Sequence, residues 1–438
     1  MAAVATDTFN DLVERFLGQR LPDTLADQID WPGLSPDAQG FILRLLALMQ
    51  RSSCPATEIN AQMIWLLATV TPAMLPSAWG GRIPPLTSQG RHRKLDAYVR
   101  HHTGPSGDGR PVFIDLGCGF PPVTTVDTAK HLPDWSVYGV DPSFFRYVLY
   151  DVEGRYACFN RNGHFQYFQS PVKPLNDTTE AVRQSFQSLF ADLSPRLPSP
   201  HDHERTSFAR DGHTLISNPI RDYEATNLNF IRSAIEDLQM PPARWIRCMN
   251  VLLYFKKEIR EAMLTAIAKL LDDDGRLMTG FNHPFGIYGR YAVYRKNSVG
   301  MVPCEFAFGL DNLRPLGTGP WVTLAEEDKE AELLADLTGA IRMDRTFWTD
   351  FNTHVDALQE KFGICRRGDD GFHQFTEEAQ TAPPHVILEK TTALWKEVAA
   401  AGYTDGAVDA LGRAGFTAWK NPVGDIAVWP PEDSLPMI

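Results

Sequence analysis

The chain has 438 residues, 43% hydrophobic and 22% charged, which is enough to bury a sizeable core and excludes global disorder. Its 54 acidic side chains outnumber 42 basic ones, for a formal charge of −12. That balance argues against a general nucleic-acid binder, which needs a basic surface to displace phosphate counterions, and against docking on anionic membrane.

Residues 6–102 read as helices. Leu12, Phe16, Leu17 and Leu21 recur at helical spacing, and residues 41–49 form a dense apolar run. A third helix is expected over 57–70, ended by Pro72. Residues 91–100 form a basic amphipathic helix, read first as a solvated face, with contact to an acidic substrate as the alternative. The segment 102–110 is dense in turn formers, so a domain boundary is set there. The expected division is a helical segment 1–103, a core 104–325 with an insertion at about 152–212, and a helical and hairpin region 326–438.

Past the boundary the pattern changes. Pro111-Val-Phe-Ile-Asp115 is a short apolar run, 123–132 suits a helix, and Ser136-Val-Tyr-Gly-Val140 is a second strand. Together they make a βαβ unit, the mark of a parallel sheet. Residues 156–169 read as a hairpin around Asn160-Arg-Asn-Gly163, followed by a helix over 179–190 and a polar linker. The strand 214–217 and a helix over 227–238 then rejoin the main pattern. Residues 245–254 read as a buried strand running into a loop, 257–271 as a helix, and 276–280 as the next strand. Further on, 305–313 and 321–324 look like strands, 328–341 and 347–362 helical, and 391–414 helical with an interruption at Gly402. Residues 416–429 suit a final hairpin. The last strands of the sheet come either from 305–324, the preferred choice, or from 416–429.

The six cysteines are scattered, with no C-x-x-C pair. The expectation is reduced thiols in the cytoplasm, with neither a disulfide framework nor a metal site. The first 16 residues lack a basic and an apolar region of the secretory kind, and the apolar stretch 61–79 is broken by Gln62, Pro72 and Pro76, so no membrane span is expected.

The strongest motif is Ile114-Asp-Leu-Gly-Cys-Gly-Phe120. Gly117 and Gly119 permit a sharp turn and close approach of a ligand. Asp141 ends the next strand 22 residues after Gly119, where a carboxylate can accept both hydroxyls of a ribose. A third glycine is missing, since Pro121 and Pro122 take its place, and Asp115 precedes the first. A carboxylate there repels a pyrophosphate and suits a ligand bearing an ammonium and a sulfonium.

With its partner Gly-Val-Asp141, this loop resembles motifs I and II of the class I S-adenosylmethionine (SAM)-dependent methyltransferases. The run from Arg247-Cys-Met-Asn-Val to Gly280 is similar to the fourth and fifth strands of that family, closest to its chemotaxis-receptor (CheR-type) members. The resemblance covers about residues 105–285 and implies a Rossmann-like, mostly parallel sheet with helices on both faces. It also implies roles. Asp115, Gly117, Cys118, Gly119 and Phe120 would hold the methionyl end of the cofactor. Asp141 would bind the ribose, with Pro142 and Ser143 near the adenine. Asp222, or else Asn218, would take the adenine amine after the third strand. Met249 and Asn250 would lie under the sulfonium and the acceptor. Phe120-Pro121-Pro122 departs from the family pattern and stiffens the loop.

Several weaker signals are read as structural. Ser217-Asn-Pro-Ile220 is an ordinary strand-end turn, and His201-Asp-His-Glu204 a solvated loop. The Cys118 thiol packs. Tyr288, Tyr291 and Tyr294 pack or form a lid. His283 and Tyr254 are the candidates for catalysis, because both follow parallel strands whose carboxyl ends form the ligand crevice. The expected function is methyl transfer to a small or medium organic substrate in a covered pocket beside Asn250 and His283. A non-catalytic SAM-binding sensor or partner subunit is the alternative. A NAD-dependent oxidoreductase is a third reading, against which the missing glycine and Asp115 speak.

Overall fold

The computed structural model describes residues 7–70, 87–103, 109–169, 180–198, 204–283, 289–315, 324 and 326–437. Pro72, Pro76, His201, Asp202, His203, Tyr288 and Trp321 lie outside them, so the expectations placed on those residues are not addressed.

The central sheet begins with β1 (Val112–Leu116) and β2 (Ser136–Val140), joined by the helix Val123–His131. The chain then leaves it for a small antiparallel sheet of β3 (Tyr147–Tyr150), β4 (Tyr156–Phe159), β5 (Phe165–Gln169), β6 (Thr206–Arg210) and β7 (His213–Ser217). It returns with β8 (Leu228–Ile231), β9 (Ala243–Met249) and β10 (Leu271–Phe281). The long hairpin β11 (Arg290–Asn297) and β12 (Gly300–Phe308) follows. A short hairpin, β13 (Cys365–Arg367) with β14 (His373–Phe375), stands apart, and β15 (Ala418–Lys420) and β16 (Ile426–Val428) close the chain's last hairpin.

The order across the main sheet is β15-β16-β12-β11-β10-β9-β1-β2-β8. The run β10-β9-β1-β2-β8 is parallel, and β11, β12, β16 and β15 are added antiparallel. This is the expected α/β class with a Rossmann-like parallel core. Strand order reverses at β1, which lies between β2 and β9, so the ligand crevice of such a sheet opens beyond its carboxyl end.

Period-two side chains build the two cores. Phe113, Trp245, Met278 and Val293 face the helices Arg93–His101 and Val123–His131. Ile114, Ile246, Leu277 and Ala292 face the helices Lys257–Leu270 and Lys329–Met343. The N-terminal helices Phe9–Leu17 and Pro36–Arg51 form a third core that abuts Ala331 and Ala335. Thr8 and Ser35 cap them, each side chain accepting a first-turn backbone N–H. Gly402, at φ 86°, separates the helices Pro384–Ala400 and Tyr403–Arg413, as its position suggested.

Three expectations are corrected. The strand 214–217 belongs to the small sheet, paired with β3 and β6, so the inserted unit runs from Tyr147 through Ser217. The third parallel strand is β8, inside the segment expected to be helical. Its short apolar run is ambiguous by periodicity, and pairing with β2 decides it. The choice between two sets of last strands also dissolves. β12 and the hairpin β15–β16 share the sheet, with Phe306, Ala307 and Phe308 opposite Val428, Ala427 and Ile426. Tyr291 and Tyr294 pack as buried residues of β11, which was not foreseen as a strand. Among the described residues, no helix is long and apolar enough to cross a membrane.

Candidate functional site

The glycine loop is fastened to the second strand. The Gly117 N–H donates to the Val140 carbonyl at 2.8 Å, and Gly117 and Gly119 have φ of 69° and 68°. A Cβ on Gly117 would sit 2.3 Å from Cγ2 of Val251. The turn therefore needs glycine for conformation and for space. The Asp141 carboxylate closes it. Oδ2 accepts the Gly119 N–H at 3.0 Å and Oδ1 accepts the Ser143 N–H at 2.7 Å. Burial pushes its pKa up, against the pull of those two donors. A carboxylate offers about four lone-pair directions, so acceptor capacity remains for a pair of vicinal hydroxyls.

Asp115 is paired inside the protein. Arg247 on β9 stands opposite it in register and donates from Nε at 2.9 Å and from Nη2 at 2.7 Å. Thr125 adds a third donor at 2.6 Å. Arg247 also donates to Asp96 at 2.8 Å and to Thr128 at 2.9 Å. The whole cluster is buried. The negative charge of Asp115 is matched inside the protein, so the side chain holds the loop's base and is not a lone anion waiting for an ammonium. Sequence reasoning missed Arg247, Asp96, Thr125 and Thr128. The legible signal was an arginine in the middle of an otherwise apolar strand.

The other predicted residues divide. Cys118 and Phe120 are buried, Phe120 edge-on to Phe145 and Tyr223, which flank the inserted unit on its two sides. Burial pushes the Cys118 thiol well up, in keeping with packing. Pro142 is exposed, and its carbonyl accepts from Arg232 just past β8. Asp222 does not follow the third strand of the main sheet. It lies in the turn Pro219–Tyr223 just after the insert, ion-paired with Arg205 at 2.5 Å, because the strand before it is not the third of the main sheet. Asn218 is likewise committed, accepting from Arg146 at 2.6 Å. Arg232 and Ser233 are what follow the third strand.

Met249 and Asn250 do end β9, beside β1. Asn250 takes a left-handed φ of 58°, and its side-chain oxygen accepts the Asn282 N–H at 3.0 Å. Asn282 in turn clamps Arg91. The guanidinium donates to the Asn282 carbonyl from Nε at 3.0 Å, and Asn282 Nδ2 donates to the Arg91 carbonyl at 2.7 Å. Arg91 and His92 are therefore not part of a solvated face. Burial lowers Arg91 to about 10. His283 follows Asn282, and burial with the Arg91 charge lowers its imidazole to about 4. Burial raises the Tyr254 phenol, with Arg91 pulling the other way. The Arg91 charge thus acts on both His283 and Tyr254, past the carboxyl ends of β10 and β9.

A cleft of about 410 Å³ adjoins this cluster, lined by Met249, Phe281, Asn282, Arg91, Leu95 and Tyr291 among others. Among the described residues, no group of His, Cys, Asp and Glu is arranged to hold a metal ion.

No protein-family model matches the sequence, and no curated protein matches it. Solved structures do. One is a magnesium protoporphyrin IX methyltransferase from Synechocystis PCC 6803 with bound SAH, at 14% identity and TM-score 0.21, covering 43% of this chain and 54% of that one. Another is an O-methyltransferase family 2 protein from Planctomyces limnophilus DSM 3776 in complex with apigenin, at 12% identity and TM-score 0.21, covering 56% and 55%. A third is the mitomycin 7-O-methyltransferase MmcR, at 10% identity and TM-score 0.22, covering 57% of each. The chain spans about half the length of these three. Likeness at that level assigns neither family nor activity to this chain.

Proposed function

We propose that this chain transfers a methyl group from S-adenosylmethionine to a small or medium organic acceptor seated in the cleft beside Met249. The observation that carries the reading is the junction of the glycine loop with Asp141 at the switch point of a parallel sheet. There a loop turned by two glycines and a fixed carboxylate suit an adenosine ribose.

The cofactor, when bound, supplies a methyl group already activated on a sulfonium. The chain's task is then alignment, since holding the reactants in line can supply much of the rate. Met249 lines the cleft and ends β9 next to the loop, so it links the two binding regions. Asn250 and Asn282 hold the ends of β9 and β10 together, which keeps that wall rigid. His283, neutral at physiological pH, is able to accept a proton from an acceptor that must lose one.

The test is calorimetric titration of the purified chain with S-adenosylmethionine, S-adenosylhomocysteine and NADH, with Asp141→Ala alongside. The expected result is binding of both adenosyl ligands, weakened in the variant by about 1–3 kcal/mol for lost charge-assisted hydrogen bonds. Folded protein that binds neither adenosyl ligand removes this reading. A clear NADH signal would move the chain to the oxidoreductase class.

A further inference from the structure

Resting on that reading, we propose that the acceptor is an organic anion, with its apolar body over Met249, Phe281 and Leu95 and its charged group held by Arg93 and Lys396. The argument is one of charge within the cleft. Four cations line it, Arg91, Arg93, Lys94 and Lys396, against two carboxylates, Asp311 and Asp425. In a chain with a formal charge of −12, that local surplus runs against the overall balance.

The two carboxylates are already engaged. Lys94 donates to Asp425 at 2.6 Å, and the field of Asp311 falls on the same ammonium. Arg91 lies deeper, clamped to Asn282. Arg93 and Lys396 are exposed at the cleft, and among the described residues no carboxylate pairs with either. Elsewhere arginine and lysine are widely paired, as Arg51 is with Asp336 and Lys361 with Glu397.

Cations at a concave surface with low-dielectric walls concentrate positive potential where a ligand enters. The Arg93 guanidinium is a planar fork that matches a carboxylate or a phosphate. The Met249, Phe281, Leu95 and Tyr291 walls take an apolar body, and 410 Å³ suits a single small molecule. A neutral or cationic acceptor would leave both cations without a counter-charge.

The test uses two fluorescent probes of nearly the same shape on the full chain. One is 8-anilinonaphthalene-1-sulfonate, an anion, and the other is neutral N-phenyl-1-naphthylamine. Each is titrated into the unmodified protein and into the double variant Arg93→Gln, Lys396→Gln, whose changes are at exposed positions. The expected result is a preference for the anion that added salt weakens. The double variant should bind it about tenfold more weakly while its affinity for the neutral probe stays the same. Equal affinity of both proteins for the anion overturns the proposal, and so does the unmodified protein preferring the neutral probe or binding neither. S-adenosylhomocysteine is titrated into both proteins in parallel. Failure of the unmodified chain to bind it removes the methyl-transfer reading and leaves the probe result to decide the anion preference alone. Its retention by the double variant shows the glycine loop intact.

Discussion

Arg247 grips both carboxylate oxygens of Asp115 across two neighbouring parallel strands, at 2.9 and 2.7 Å, with less than a tenth of either residue exposed. The register that sets Asp115 opposite Arg247 places the base of the glycine loop on an internal ion pair. Asp96 and Thr128 complete it from the two helices on that face.

This relationship has a cost when broken. Arg247→Met leaves Asp96 and Asp115 as buried, unmatched carboxylates, and urea denaturation should show a loss of about 3–5 kcal/mol. Adding Asp96→Asn and Asp115→Asn should recover much of that loss, because the penalty comes from the stranded charges. A single variant within about 1 kcal/mol of the parent would mean the cluster is hydrated and its charges screened.

Gly117 tests conformation against space. Gly117→Ala must hold a left-handed φ, which costs about 1–2 kcal/mol, and must push Val251 aside, which adds about 1–3 kcal/mol. Val251→Ala in the same chain should relieve the second part and leave the first. A double-mutant cycle on stability reads the coupling, and additivity of the two changes would contradict the contact.

Under the proposed methyl transfer with His283 as base, this side chain sets the expected acid limit. Its imidazole is active as a base when deprotonated, and its pKa is lowered from 6.5 to about 4, so activity is lost only as pH falls towards that value. The rate of methyl transfer at saturating acceptor should stay level from about pH 8 down to about pH 5. His283→Gln should lower it while S-adenosylhomocysteine affinity is unchanged. An acid limb near 6.5 in the parent protein would assign the proton transfer to another group.

Glu330 gives stability a slope of the opposite kind. Burial, with Asp328 adding to it, raises its carboxyl from 4.5 to about 7, and the Thr279 hydroxyl donates to it at 2.6 Å. The folded state prefers the protonated acid. Its contribution is complete below the ordinary value of 4.5 and disappears as pH rises through about 7. Thermal midpoints should therefore fall between about pH 5 and about pH 8, and Glu330→Gln should flatten that fall. An identical slope in both proteins would show that other groups carry it.

Much of the site could be read in advance because its signals are local. The turn at Gly117 and Gly119 demands residues without a Cβ, and Asp141 ends the next strand at the distance one βαβ unit requires. The premise behind Asp222 and Asn218, that the strand before them is the third of the main sheet, failed for a non-local reason. Two short apolar runs, 214–217 and 228–231, compete for one place beside β2, and both satisfy strand propensity. Only the packing of the insert, where β7 pairs with β3 and β6, removes the first from the main sheet.

The amino-acid sequence alone determined the βαβ unit, its glycine turn and the carboxylate at the second strand's end, since backbone freedom and short-range spacing decide these. Tertiary structure decided which charges are matched and which face the cleft. Arg247 meets Asp115 across 132 residues, Arg91 meets Asn282 across 191, and Lys94 meets Asp425 across 331. No local pattern encodes such pairings, because electrostatic partners are set by strand register and by the burial that makes an unmatched charge costly.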